Sequence, residues 1–428
     1  MLNAVDVYLW GTRIGTVYRR EGHPIMQFEY SEEFRDSGIE VAPLHMPLGR
    51  TRYEFPDLPI QSFHGLPGLL SDSLPDKFGN KVIAAWLASE GKRPEDLNSV
   101  DRLAYAGKRG MGALEYRPAI LDKEDLSERL DVDSLSRLAN DVLRLRESAR
   151  AELTPGMNRY SAILRVGSSA GGARAKALIG WNEETGEVRS GQISLPAGFS
   201  YWLMKFDGLT GNGDKEGDDK WGYGRVEYSY YLMAKAAGIE MTECRLWNDR
   251  HFMTRRFDRT ADGGKLHTQT LGALAHMDFN NPLMYSYEEA FDIVRRLVGD
   301  ARASEQAFRR MVFNVLAWNC DDHVKNISFL MDKSGAWSLA PAYDECYAYN
   351  PNGDWTSRHQ MSVNGRRDGI MDEDMVACAT HANLVGRKAR RVIGEVRAAV
   401  REWKRFAAEA GVRDEFVPTI AARLGIDA

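Results

Sequence analysis

WNCDDHVKNISFLMDKSGAWSLAPAYD, residues Trp318–Asp344, is the stretch around which the rest of the 428-residue chain is organised. Asp321 and Asn326 lie five residues apart, and Ile327–Met331, the turn Asp332-Lys333-Ser334-Gly335 and Ala336–Leu339 follow. The apolar flanks and Gly-containing turn predict two short paired strands, a hairpin that carries Asp344 back beside Asn326. Phosphoryl transfer asks a protein for such a set: one carboxylate to accept or orient the proton of the attacking hydroxyl, and an amide oxygen with a second carboxylate to hold Mg²⁺ against the phosphates. Asp321 is then the base, and Asn326 and Asp344 are the metal ligands. A D-x-x-x-x-N spacing alone also describes a polar loop whose Asp and Asn cap turns, so the reading depends on the other parts of a nucleotide site.

A chain of this length predicts two or three domains with a large core. Hydrophobic residues at 43% and charged ones at 27% fit an ordinary globular protein. A net charge of -5 argues against bulk nucleic-acid binding but leaves room for a local basic face. Cys244, Cys320, Cys346 and Cys378 show no C-x-x-C spacing, which predicts reduced thiols in a cytosol rather than disulfides or a zinc site. The opening MLNAVDVYLWGTRIG lacks a basic segment followed by an apolar one, so no secretory signal is expected. No run of about 18 apolar residues occurs, so no spanning helix is expected either.

The parts of a nucleotide site come in order along the chain. Alternating residues from Val5 to Tyr18 predict an opening β-hairpin, and Lys81–Leu87 and the segment from Asp133 read as helices. Gly107, Gly110 and Gly112 crowd into six residues, best read as a tight turn. A strand from Ala162 to Val166 runs into Gly167-Ser168-Ser169-Ala170-Gly171-Gly172-Ala173-Arg174-Ala175-Lys176, small residues that let main-chain amides approach an anion. Ala173-Arg174 stands where a P-loop needs Lys-Ser/Thr, so a glycine-rich hairpin over phosphates is the better reading. Lys205 sits in the apolar strand Tyr201–Phe206 and needs a partner for its charge; phosphates or Glu227, on a following helix, can supply one. The strand ending at Arg255-Arg256-Phe257 suits an inter-lobe connection, and the remainder turns mostly helical. From Asn383 to Ala410 one helix face is apolar; the other carries eight cations, from Arg387 to Arg405, suited to solvent or to an acidic partner or DNA.

Taken together, these motifs resemble the HipA-type serine/threonine kinases, toxins of bacterial toxin–antitoxin pairs. The resemblance spans nearly the whole chain and is most specific at Asp321–Asn326, Pro341-Ala342-Tyr343-Asp344 and Arg256-Phe257-Asp258-Arg259. It implies an α+β, bilobal protein-kinase-like fold: an N-terminal β-rich domain (1–120), a helical connection (121–160), N-lobe elements with the glycine-rich loop (161–257) and a mainly α-helical catalytic C-lobe (258–428). It also implies ATP and Mg²⁺ as cofactors, with Asp321, Lys205 and Glu227 in catalysis. ATP contacts are implied at Gly171, Gly172, Ala173, Arg174, Ala175 and Lys176, at Lys205, at Arg255, Arg256 and Phe257, and at His323, Lys325, Asn326, Tyr343 and Asp344. A loop serine is autophosphorylated in the family, implying Ser169 or its neighbour Ser168; a phosphate there adds nearly two negative charges where ATP phosphates sit.

Two departures from eukaryotic-type kinases stand out. Asn319 occupies the position two before the base where those kinases have His, and His323 follows instead. Asp322 is a second acid beside Asp321, and the five-residue spacing to Asn326 favours Asp321. The implied partners are a helix-turn-helix, HipB-like antitoxin, a protein substrate, and operator DNA through or alongside the antitoxin, with no membrane and a cytoplasmic location. Two rivals stay open: a small-molecule phosphotransferase, and a nucleotide-binding scaffold acting with an antitoxin on DNA.

Overall fold

The computed structural model describes residues 2–89, 91–119, 129–144, 174–209 and 222–426. The chain forms two compact units, Met1–Asn212 with Arg255–Asp278 and Leu330–Ala336, and Gly213–Thr254 with Phe279–Phe329 and Trp337–Ala428. Both contain helices and antiparallel strands, so the class is α+β.

The first unit opens with β1 (Ala4–Leu9) and β2 (Thr12–Arg19), paired antiparallel as the alternation predicts, with Val5, Val7 and Leu9 turned into the core. β3 (Met26–Tyr30), β4 (Arg52–Tyr53) and β5 (Leu114–Arg117) complete a sheet of order β4-β3-β2-β1-β5. Helices Lys77–Ser89 and Ser99–Ala106 lie between β4 and β5 in the chain. The second starts on a capping box in which Asn98 and Asp101 satisfy each other's amides. A second sheet pairs β6 (Lys176–Trp181) with β7 (Val188–Ser190) on one edge and β8 (Ser200–Lys205) on the other, both antiparallel.

Residues Arg255–Asp278 cluster with this first unit, although the sequence reading began the helical lobe at 258. Specific bonds hold them there. The Asp258 carboxylate accepts from the Gly112 amide at 2.7 Å, and Thr270 N–H donates to Asp72 at 2.7 Å. Gly68 packs so tightly on this segment that a Cβ there would fall 2.0 Å from the Ala273 carbonyl oxygen. Helical spacing and apolar content describe the chain locally; they say nothing about buried ionic groups recruited from 150 residues away.

The second unit contains a hairpin of β9 (Cys244–Trp247) and β10 (His251–Arg255) and is otherwise mainly helical. Helix Tyr287–Leu297 is capped by Ser286 with Glu289, and helix Ala301–Leu316 by Asp300, which accepts from Arg302 and Ala303 amides. The latter buries Phe308, Met311, Val312 and Phe313 and packs on helix Gly386–Arg401. Trp403, fully buried, meets Tyr230 edge to face at 5.4 Å. Much of the basic face of the C-terminal helices is neutralised within the unit: Lys388 pairs with Glu305, Arg390 with Glu373, Arg397 with Asp372, and Arg405 with Glu402. All four cysteines are buried thiols. Among the described residues no helix is long and apolar enough to cross a membrane.

A buried histidine and a half-buried one in the first unit make its stability depend on acid. Burial lowers His267 to about 4, and burial with the neighbouring His45 lowers His276 to about 3. Each is therefore neutral in the fold, whereas in the unfolded chain it takes a proton near pH 6.5. The stability held by the neutral form is full above pH 6.5 and declines as pH falls toward 4. At pH 5.5 each should cost about 1.4 kcal/mol relative to neutrality. Urea denaturation between pH 7.5 and 5.5 checks this: His267→Gln should flatten the slope by about one histidine's share, and an unchanged slope would refute it.

Candidate active site

The stretch from Trp318 to Asp344 forms a loop followed by a hairpin. Its two ends adopt left-handed backbone, with φ 54° at Trp318 and φ 56° at Asp344. Non-glycine residues avoid this region unless their surroundings fix them there. Here the fixing is visible: Cys320 N–H donates to the Ala348 carbonyl at 2.9 Å and Ala348 N–H returns to Trp318 at 3.1 Å. The predicted hairpin forms as β11 (Ser328–Met331) and β12 (Trp337–Leu339), closed by Ala340 N–H on the Ser328 carbonyl.

The two adjacent acids have opposite environments. Asp322 is 2% exposed. It accepts from Tyr287 Oη at 2.8 Å, from the Gln360 amide at 2.8 Å and from His359 Nδ1 at 2.9 Å, the nitrogen that must carry the proton to bond a carboxylate. The Asp321 side chain is 27% exposed and meets Gln360 Nε2 at 3.1 Å, with His323 Nε2 3.9 Å away. Asp322 is thus a fixed post, and Asp321 is the more accessible of the two acids.

Asn326 donates its Nδ2 to the Asp321 carbonyl at 2.7 Å, which turns its amide oxygen the other way. His323 caps the short 3-10 turn Val324–Asn326, and its Nδ1 accepts from the Lys325 amide, leaving Nε2 as the protonated nitrogen of the neutral ring. Lys325 Nζ lies 4.1 Å above the Phe279 ring. Tyr343 Oη donates to the Lys325 carbonyl at 2.6 Å, tying the segment before Asp344 to the loop.

Asn319, the residue standing in the eukaryotic histidine's place, braces the loop against the Asp344 segment. Its Nδ2 is shared between Asn314 Oδ1 at 2.9 Å, the Glu345 carboxyl at 3.2 Å and the Asp344 carbonyl at 3.3 Å. Asn314 in turn donates to Tyr287 Oη at 3.0 Å, so uncharged groups link the Asp344 segment to Asp322. Behind them a small cavity of about 20 Å³ is lined by Arg310, Asn319, Glu345 and Tyr343 among others. Burial pushes the Glu345 carboxyl up to about 8, against the pull of Arg310 and the Asn319 bond. Burial likewise lowers Arg310 to about 10.

The remaining expected site residues fall in several places. Glu227 is buried on helix Tyr223–Ala236 of the second unit. Lys205 ends β8 in the first unit, half-buried and in register with Lys176 on β6. Lys176 is buried and pairs with Asp76 at 3.1 Å, and Arg174 is buried beside Asp207 at 3.5 Å. Ala175 is fully buried. Arg255 is exposed and Phe257 half-buried. Arg256 is committed internally: its guanidinium grips both Asp258 oxygens at 2.9 and 2.7 Å and the Gly191 carbonyl at 2.9 Å, while its amide donates to Tyr201. Burial alone would raise the Asp258 carboxyl, but Arg256 and Arg259 outweigh it and hold it below the usual range. Hence the Arg256-Phe257-Asp258-Arg259 motif builds an ionic knot in the first unit, and Arg256 offers neither side chain nor amide to a nucleotide. Ser168, Ser169, Gly171, Gly172 and Ala173 lie outside the described residues.

Sequence reasoning missed His359 and Gln360, which hold the acid pair from 38 residues downstream, and Tyr287 and Asn314 upstream. No local spacing marks them; only the pair of adjacent acids hinted that one needed a dedicated set of donors.

These features define a class: an α+β protein with a β-rich first unit and, in a mainly helical second one, a loop that carries an accessible acid, an oriented amide and a left-handed downstream acid. The HipA N-terminal domain model matches residues 5–117 and the HipA-like C-terminal domain model residues 168–403. The chain belongs to the HipA family. Its fold is similar to that of HipA in the Shewanella oneidensis MR-1 toxin–antitoxin complex of HipA, HipB and operator DNA, with a TM-score of 0.65, 16% identity, and coverage of 98% of this chain and 94% of that one. The Helicobacter pylori proinflammatory kinase CtkA matches with a TM-score of 0.32 and 11% identity over 53% of this chain and 92% of its own. No curated protein matches the chain.

The split between the two acids has a measurable consequence. Asp322→Ala leaves the Tyr287 hydroxyl, the His359 ring N–H and the Gln360 amide without their acceptor and should cost about 3 kcal/mol of stability. Asp321→Ala should cost less than about 1 kcal/mol. Chemical denaturation of the two variants measures the difference; equal costs would contradict it.

Proposed function

We propose that this HipA-family chain is an ATP- and Mg²⁺-dependent serine/threonine protein kinase, the toxin of a bacterial toxin–antitoxin pair acting on a cytosolic protein. The observation that carries the reading is the contrast between the anchored Asp322 and the accessible, oriented Asp321. A carboxylate accepting or orienting the proton of an attacking hydroxyl has to be reachable and has to be held in one orientation. Asp321 meets both requirements, and its neighbour supplies the anchoring.

The donor set suits magnesium. Asn326 Oδ1, turned away from the Asp321 carbonyl by the bond of its Nδ2, and the Asp344 carboxylate are both hard oxygen ligands. Mg²⁺ commonly takes one or two protein oxygens and fills its remaining positions with water and phosphate. When bound, the ion neutralises phosphate charge; Asn326 and Asp344 hold it. Lys205 is the residue proposed to meet the nucleotide phosphates, with Glu227 as its charge partner. Self-regulation by phosphorylation at Ser169 or Ser168 is part of the proposal. So is a helix-turn-helix antitoxin, supported by the HipB and operator DNA named in the Shewanella complex.

The test is transfer of label from [γ-³²P]ATP with Mg²⁺ to the chain itself and to casein as a generic acceptor. Asp321→Ala should lower the rate at least a hundredfold. Asn326→Ala and Asp344→Ala should raise the Mg²⁺ concentration needed for half-maximal transfer. Full transfer by Asp321→Ala would remove the base assignment, and turnover on a small alcohol without protein acceptor would favour a small-molecule phosphotransferase.

A further inference from the structure

Two dipeptides from distant parts of the second unit face each other, Asp321-Asp322 and His359-Gln360. His359 Nδ1 and the Gln360 amide both bond the Asp322 carboxylate, and Gln360 Nε2 donates to Asp321 Oδ1 at 3.1 Å. Gln360 is 4% exposed and is held at several points. Its carbonyl accepts from Arg367, whose guanidinium also reaches the Tyr285 carbonyl at 3.0 Å, and His359 N–H donates to the Arg367 carbonyl at 3.0 Å. A side chain so fixed at its backbone delivers its amide to one place.

We infer that Gln360 is a positioning residue for phosphoryl transfer: it orients the Asp321 carboxylate, while Asp322 serves to hold Gln360 in place. The inference rests on the kinase reading above, in which Asp321 is the base. A donor on one carboxylate oxygen fixes the plane of the group and so the direction in which the other oxygen points. An uncharged amide does this without the penalty of other donors. Lysine or arginine there would make the carboxylate a weaker base, and a second carboxylate would repel it. Glutamine has the donor, the length and no charge. The arrangement also accounts for the acid pair, since the two carboxylates work on the same partner from opposite sides: one receives the backbone, the other receives the side chain.

The experiment uses the full chain, [γ-³²P]ATP with Mg²⁺, and both self-labelling and casein labelling. Gln360→Met keeps size and removes the donor. It should lower the transfer rate about tenfold to a hundredfold, the range a misplaced catalytic group costs, while affinity for mant-ATP stays within about twofold. The decisive readout is the cycle with Asp321→Ala, because residues that act as one unit are not additive. Once Asp321 is gone, Gln360→Met should change the residual rate by less than about twofold. Should Gln360→Met fold poorly by thermal melting, Gln360→Glu, of equal length, should show at least as large a loss in transfer. Wild-type rates in the glutamine variants beside an inactive Asp321→Ala would overturn this inference and leave the kinase reading standing. Losses that multiply in the double variant would make Gln360 a general structural residue and overturn it as well. A wild-type chain with no transfer, or a fully active Asp321→Ala, would overturn both.

Discussion

The buried carboxylate of Asp322 is the constraint on which the site depends. Taking a carboxylate out of water costs several kcal/mol unless donors replace the water, and the chain supplies three: a tyrosine hydroxyl, a histidine ring and a main-chain amide. Those donors come from helix Tyr287–Leu297 and from the segment around Gln360, so satisfying one side chain fastens three remote stretches together. Charge-assisted bonds of this sort are stronger and more directional than neutral ones. The neighbouring residue inherits the resulting rigidity: Asp321 projects from a backbone that cannot drift, yet its own side chain remains reachable.

A second link in the same framework joins the acid–amide loop to the acid beyond the hairpin. Asn319, Asn314 and Tyr287 form a chain of uncharged hydrogen bonds from the Asp344 carbonyl to Asp322. Neutral connectors add no further charge beside the buried Asp322 carboxylate. The left-handed backbone at Trp318 and Asp344 is held in place by this bonding. Interlocking of this kind is cooperative: each amide is held by the next, and none is solvent-facing enough to swap partners with water.

The sequence made the local parts legible and left the long-range ones dark. The opening hairpin, the helices starting near Lys81, Asp133, Tyr287 and Glu305, and the β11–β12 hairpin are written in periodicity and turn residues, which depend on near neighbours. Asp321, Asn326 and Asp344 were singled out by their spacing around a predicted hairpin, and that hairpin forms. Gln360 and His359 were not, since a hydrogen bond across 38 residues leaves no periodic trace. The same holds for Asp258, whose partners Arg256 and Arg259 lie beside it while its third donor is the Gly112 amide. Pattern reading saw a family motif there and took its arginine for a ligand contact; burial shows the charge satisfied from within.

That distinction bears on where phosphate charge can be met. Lys176 and Arg174 follow the glycine-rich segment and look like natural phosphate ligands, but each is buried against an aspartate of its own unit. Pulling one partner out of a buried pair typically costs about 3–5 kcal/mol, comparable to the binding energy of a millimolar ligand. A nucleotide that recruited either cation would have to displace Asp76 or Asp207 or share the cation with it. Lys205, half-buried at the end of the adjoining strand, faces a smaller desolvation cost on meeting an anion. Lys176 and Arg174, sealed into internal pairs, set the shape of the first unit.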